Sequence, residues 1–334
     1  MSCTVSSIRA SSTRRTIIAT VKPQDAIAPI VAPAAVGDTD LIDEVDLAPV
    51  RTYWQLVRRR FLRHRMAVIS LVILAVLIAY AVLVPLLTGD LYKDPSLRQV
   101  WDPPSFPDAP LGYDEIGQNE FVRLAKATQT SLMVGFAAVL IIAGLGSLVG
   151  AISGYVGGAT DNILMRFVDI VLTLPVLFLI LMIVGFFGQG NVWGVIISIG
   201  ITGWTLAARL IRGEFLMLRE MDFVAAAKAL GAGHRRIIFR HMLPPATGPL
   251  IVACAIGVAD AVVIEAALSF LGFGISPPEA SLGNMLTNAQ TYFVRAPLMV
   301  IWPGIILVLM VISASFLGDG LRDALDPRQR IDVK

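Results

Sequence analysis

The stretch Ala67-Val68-Ile69-Ser70-Leu71-Val72-Ile73-Leu74-Ala75-Val76-Leu77-Ile78-Ala79-Tyr80-Ala81-Val82-Leu83-Val84-Pro85-Leu86-Leu87 contains no charged residue. A helix of that length, rising about 1.5 Å per residue, crosses the roughly 30 Å hydrocarbon layer of a bilayer. A backbone surrounded by lipid must satisfy its own N–H and C=O groups, and a helix does so within the segment. Working outward, comparable apolar runs recur at residues 131–153, 163–187, 192–210, 250–271 and 298–317. The chain has 334 residues, of which 56% are hydrophobic and 16% charged, against about 25% charged in soluble domains. The expectation is an all-α, polytopic membrane protein with six transmembrane helices over residues 67–318. Pro175, inside the third run, removes a backbone donor and predicts a bend there.

Residues 1–50 are rich in Ala, Pro, Ser, Thr and Asp without sustained periodicity, and read as a flexible tail. They do not resemble a cleavable signal peptide: Arg9, Arg14 and Arg15 are followed by no clean apolar core, and Pro23 interrupts. Residues 51–66 mix Trp54, Leu56, Val57, Phe61 and Leu62 with Arg58, Arg59, Arg60, Arg63 and Arg65. That composition fits either an amphipathic helix lying on an anionic membrane surface or an ordinary basic flank of the first span. Basic residues mark cytoplasmic ends, so the N-terminus is expected in the cytoplasm. With six spans the loop at 211–245 shares that side, and Arg212, Arg219, Lys228, Arg235, Arg236 and Arg240 outnumber its acids. The segment at 89–126 then lies outside, where Asp90, Asp94, Asp102, Asp108, Asp114, Glu115 and Glu120 outnumber its bases. The tail at 319–334 is expected to be cytoplasmic.

Inside the spans, Gly146, Gly150 and Gly154 recur every fourth residue, which predicts a face for close helix packing. Asp169, Asp260 and Glu265 fall within or near the third and fifth runs. Such carboxylates face protein or water, and either structure or a path-lining role is open to them. The formal net charge of +2 gives no electrostatic reason for a nucleic-acid partner. No GxxxxGK[ST] or HExxH occurs, which argues against nucleotide hydrolysis or metalloprotease chemistry in this chain. His64, His234, His241, Cys3 and Cys254 form no ligand-spaced cluster. No cofactor or metal is expected.

Between the fourth and fifth runs lies Arg219-Glu220-Met221-Asp222-Phe223-Val224-Ala225-Ala226-Ala227-Lys228-Ala229-Leu230-Gly231-Ala232-Gly233. Its alanines favour a helix, Gly231 and Gly233 favour a stop, and a second basic amphipathic stretch follows to Pro244-Pro245. The residues read as a cytoplasmic helix-turn-helix, serving either as a structural loop or as an apolar surface for another protein.

This loop resembles the coupling loop of the membrane subunits of bacterial ABC importers, whose pattern is EAA, three residues, Gly, nine residues, then IxLP. Ala225, Ala226 and Ala227 occupy the EAA positions, Gly231 the glycine, and Leu243-Pro244 the closing pair; Ala225 replaces the Glu and His241 the Ile. The resemblance runs from about residue 53 to 328. Pro110-Leu111-Gly112 with Asp114-Glu115-Ile116-Gly117 is similar to the "PLGTDELGRD" stretch of dipeptide and oligopeptide permease C-type subunits. Arg240-His241-Met242-Leu243-Pro244 is similar to their "RHILPN" region, and the segments 265–272 and 318–328 resemble the same subfamily.

The resemblance implies a type I ABC importer permease fold in a bacterial cell membrane. It implies a homologous B-type permease, two cytoplasmic ATPase subunits that bind ATP and Mg, and an extracytoplasmic solute-binding protein as partners, beside membrane lipids. It places Phe223, Ala225, Ala226, Ala227, Leu230, Gly231, Leu243 and Pro244 at the ATPase contact. This chain would be a non-catalytic permease. Dipeptides or oligopeptides are the expected cargo, while nickel complexes, glutathione-like molecules and oligosaccharides are also moved by members that this chain resembles.

Overall fold

The computed structural model describes residues 53–89, 96, 98–188, 190–287, 289, 293–294 and 296–325. The expected N-terminal tail, Asp90, Lys93, Asp94 and the C-terminal residues 326–334 lie outside the described residues. Among the described residues the secondary structure is helical, with isolated bridges only at Ser105–Ala109 and Tyr113–Asn119.

The basic segment forms α1 (Tyr53–Arg63). At His64 the chain leaves helical geometry, and its Nδ1 accepts the Ala67 N–H at 3.1 Å, capping α2 (Arg65–Thr88). The long α3 (Glu120–Val156) begins at Asn119, whose side chain accepts from the N–H groups of Phe121 and Val122. The third apolar run becomes α4 (Gly158–Thr173) and α5 (Val176–Phe187), with 90° between them. The sequence predicted a bend at Pro175, and the structure breaks the helix there. Leu174 is extended at φ −83°, ψ 136°, as sterics require of a residue preceding proline. Among the described residues five helices are long and apolar enough to cross a membrane, and six spans result when the bent pair is taken as one.

Next come α6 (Val192–Arg219) and the short α7 (Asp222–Ala229). The following helix, α8 (His234–Phe270), continues through the proline pair, whereas the sequence placed a helix end there. It does so by widening to a π-helical turn over Ile237–Met242, immediately before Pro244 and Pro245. Their missing N–H groups and bulky rings cannot fit ordinary i−4 bonding, and the wider turn accommodates them. A capped turn, α9 (Leu282–Met285), precedes the last span, α10 (Leu298–Leu325).

Helix α3 is central and packs against α2, α6 and α8. Its glycines lie against α6: a methyl at Gly146 would come within 2.5 Å of the Ala207 Cβ, one at Gly150 within 2.4 Å of the Ala208 carbonyl oxygen, and one at Gly154 within 2.6 Å of the Phe215 Cβ. Lipid tails are as apolar as the helices, so association depends on van der Waals contact, and small residues permit it. The end of α10 closes on α1 and α2 at Gly320, where a methyl would lie 2.2 Å from the Ala67 Cβ. Beside it the His64 Nε2 stands 3.6 Å from the Asp323 carboxylate.

Gly150→Val is expected to destabilise the detergent-solubilised chain by about 1–3 kcal/mol, the usual cost of overpacking. Gly144→Val on the same helix should change little, because a Cβ there meets nothing within 4 Å. Thermal unfolding compares the two, and equal midpoints would refute the close α3–α6 contact.

Candidate functional site

At the end of the bundle where α6 stops, α7 folds back under it. Val224 is fully buried among Phe215, Leu218, Ile237 and Met242, and Ala227 is also buried. These inward residues fix the helix, while Phe223 (44% exposed) and Leu230 (88% exposed) face outward. Phe223, Ala226 and Leu230 share one face by their i, i+3, i+7 spacing. Ala225 is exposed on another face of the helix, Leu243 is half-buried in α8, and Pro244 is exposed in the same helix. The structure therefore brings Phe223, Ala226, Leu230 and Gly231 to one exposed surface, and turns Ala227 inward as an anchor. Val224, absent from the expected set, is the deeper anchor; its position next to Phe223 and three before Ala227 is the pattern that marks it.

Gly231 ends α7 at φ +79°. The Ala232 N–H donates to the Ala227 carbonyl at 3.0 Å and the Gly231 N–H to the Lys228 carbonyl at 2.9 Å. This double bonding is a Schellman turn, which favours glycine at the left-handed position. A Cβ at Gly231 would meet nothing within 4 Å, so the space around the turn is open.

Two ion pairs join α4 to α6 near this end. Arg212 donates to both Asp161 oxygens, at 2.5 and 2.7 Å, and Ser153 donates to the same carboxylate. Arg209 donates to Asp169 at 2.5 Å. Each arginine is held by an α4 carboxylate, and a forked guanidinium pairs well with such a partner. Asp161 was not singled out from sequence, because its partner is 51 positions away. Tyr155 and His234 are also joined, O to Nδ1, at 2.7 Å.

In the membrane-spanning part a groove of about 680 Å³ runs beside the α4–α5 break. Its walls are mostly apolar, from Ile142, Leu174, Leu206 and Ile264, with Thr202 and Asp260 among them. Asp260 is exposed. Glu265 differs from it: fully buried, it accepts from Ser131 and Ser269, each at 2.7 Å. Ser131 in turn accepts the Leu282 N–H at 3.3 Å, so Glu265 ties α3, α8 and α9 together and is structural. Across the bundle, Asp114 accepts the N–H groups of Ile116 at 3.0 Å and Gln118 at 2.7 Å, and pairs with Arg123. Among the described residues no three His, Cys, Asp or Glu side chains are grouped to hold a metal ion.

The chain is a polytopic helical bundle with a short exposed helix slung between two spans. The family of binding-protein-dependent transport system inner membrane components matches residues 146–331, and the N-terminal TM domain of oligopeptide transport permease C matches residues 52–104. The oligopeptide transport system permease protein OppC of Haemophilus influenzae is 37% identical over 292 residues, covering 87% of this chain and 93% of that protein. OppC of Mycobacterium tuberculosis is 38% identical over 276 residues, covering 82% of this chain and 94% of its own length. A putative peptide permease of Brucella suis is 38% identical over 275 residues, with 82% and 90% covered. The inward-facing MetNI methionine ABC transporter superposes with a TM-score of 0.51 at 19% identity, over 61% of this chain and 96% of that one, which shows a shared fold. The chain belongs to the binding-protein-dependent transport inner-membrane component family, in its OppC-type branch. It is a non-catalytic membrane permease subunit of a multi-subunit ABC importer.

Gly231→Ala should strain the α7 turn by about 1 kcal/mol without a side-chain clash. Amide exchange at the α7 C-terminus is expected to quicken about fivefold. Unaltered exchange would mean that the left-handed glycine does not hold this turn.

Proposed function

We propose that this chain is the C-type permease of an importer for dipeptides or oligopeptides, working with a B-type permease, two cytoplasmic ATPase subunits and an extracytoplasmic solute-binding protein. The names of its relatives support the cargo. The observation that carries the coupling role is the exposed Phe223–Leu230 face of α7, anchored from beneath by buried Val224. Exposed large apolar side chains on a helix that is fixed on its other side suit a partner's groove. Phe223 and Leu230 would fill it, and Ala226 and Gly231 would let the backbones approach. Leu243 and Pro244 would continue the contact where α8 leaves it, with Ala225 at its edge and Ala227 holding the helix in place. ATP and Mg are bound by the ATPases, and their closure biases the permease state through this contact; the coupling is reciprocal.

The groove beside Asp260 is this chain's share of the translocation path, because a carboxylate on an exposed face of a span belongs next to water or protein and not lipid. In this orientation α1, α7 and both termini are cytoplasmic, and the Asp114 end of the bundle is extracytoplasmic. Cysteine accessibility in intact cells should find positions 58 and 228 protected and position 102 labelled; positions 228 and 102 reacting from the same side would overturn the orientation.

In proteoliposomes holding the assembled complex, uptake should require ATP and survive collapse of the proton gradient. Phe223→Ala and Leu230→Ala should each weaken ATPase retention about tenfold, the scale of an apolar anchor at an interface. Gly231→Val should leave the spans inserted and reduce ATPase docking or its stimulation by loaded binding protein. Normal retention, stimulation and transport in all three variants would remove the coupling assignment. Uptake by this chain alone, driven by a pH gradient and abolished by Asp260→Asn, would replace it with a proton-coupled transporter.

A further inference from the structure

At the Asp114 end a cavity of about 190 Å³ opens between the start of α3, the segment after α8 and the start of α10. Glu120 lines it and is only 3% exposed, yet among the described residues its Oε1 has no hydrogen-bond partner. Leaving a buried carboxylate oxygen unpartnered costs free energy, so a donor from elsewhere would stabilise this site. Three neighbouring polar side chains, Asn284, Thr287 and Arg123, are engaged in other bonds. The Asn284 amide donates to the Ile275 and Glu279 carbonyls at 3.3 and 2.8 Å, and the Thr287 hydroxyl donates to the Ser269 carbonyl at 3.4 Å. The Arg123 guanidinium is paired with Asp114. Among the described residues Asp114, Glu115 and Glu120 line the cavity with Arg123 as the one cationic side chain, a negative balance. Glu120 also lies outside both segments matched by the family models, at residues 52–104 and 146–331.

The geometry points to a receptor for a primary ammonium group at Glu120, and the group it takes in this importer is the free α-amine of an arriving peptide. An ammonium brings donors and positive charge together, which are the two things the orphaned Oε1 lacks. At about 190 Å³ the cavity is roomier than an amine with its α-carbon requires and smaller than an oligopeptide, so it would hold the amino end of the cargo while the remainder extends toward the path. This assignment rests on the proposed peptide cargo and outward placement of the Asp114 end.

The test has two parts. In the reconstituted complex with its binding protein, uptake of trialanine and of N-acetyl-trialanine is compared for wild type and Glu120→Gln. The binding protein is the same in both, so its own preference cancels. The expected result is that the free-amine to acetylated uptake ratio falls about tenfold in the variant, while acetylated uptake is unchanged; an unchanged ratio overturns the receptor. In the permease–ATPase assembly alone, alaninamide should raise the thermal midpoint of wild type more than N-acetylalaninamide does, since a ligand of the folded state stabilises it. That difference should vanish in Glu120→Gln and shrink in Glu120→Asp, whose carboxylate is set back by one methylene. No difference in wild type, or one that persists in both variants, overturns the site even where variant uptake is lost. The two readings fail separately: absence of any peptide uptake with the alaninamide shift intact removes the cargo assignment and leaves the ammonium site.

Discussion

The close approach of α3 and α6 is the contact on which the other helices are arranged. Within a bilayer, burying apolar surface against another helix gains little over burying it in lipid, so the contact must come from atoms that truly touch. Gly146, Gly150 and Gly154 supply the room, because a single methyl at any of them would collide with α6. With that axis fixed, α2 and α8 pack on other parts of α3, and α5 packs on α6. The same placement carries Phe215, near the end of α6, to the spot where Val224 is buried, so the exposed helix α7 is positioned by the membrane core.

The polar side chains divide into those that hold the bundle and those that face a space. Glu265 is satisfied by two serine hydroxyls from different helices, and Asp161 is satisfied by Arg212 and Ser153. Low dielectric strengthens satisfied networks of this kind and penalises incomplete ones. Asp260 and Glu120 stand apart from them, the first exposed on an apolar groove and the second buried with an unpartnered oxygen. Glu265 and Asp161, which hold helices together, are thus distinct from Asp260 and Glu120, which face cavities.

Continuity of α8 joins the residues packed around α7 to a membrane-spanning helix without an intervening loop. Had the helix stopped at Pro244-Pro245, a displacement of α7 would be absorbed in a loop. Because the π-helical turn carries the backbone through, Ile237 and Met242, which contact Val224, sit on the same helix as Asp260. Packed helices transmit displacement because their interiors are dense and resist compression. Gly231 belongs to this arrangement as the left-handed residue that stops α7 and turns the chain into α8.

The sequence by itself determined the helical, multi-spanning architecture, because uninterrupted apolar length has no other solution in a bilayer. It also determined a bend at Pro175, the packing propensity of the glycine series and the location of the α7 loop, since each depends on residue type at short spacing. Pattern alone could not show that α8 runs through its prolines, because a π-helical turn absorbs what normally ends a helix. Nor could it distinguish Glu265 from Asp260, two carboxylates one and a half turns apart: only packing shows that one meets Ser131 from a segment 134 positions away while the other is exposed. The partners of Arg209 and Arg212 and the orphaned oxygen of Glu120 were decided in the same way. They depend on which side chains arrive from distant parts of the chain, and no local spacing encodes that.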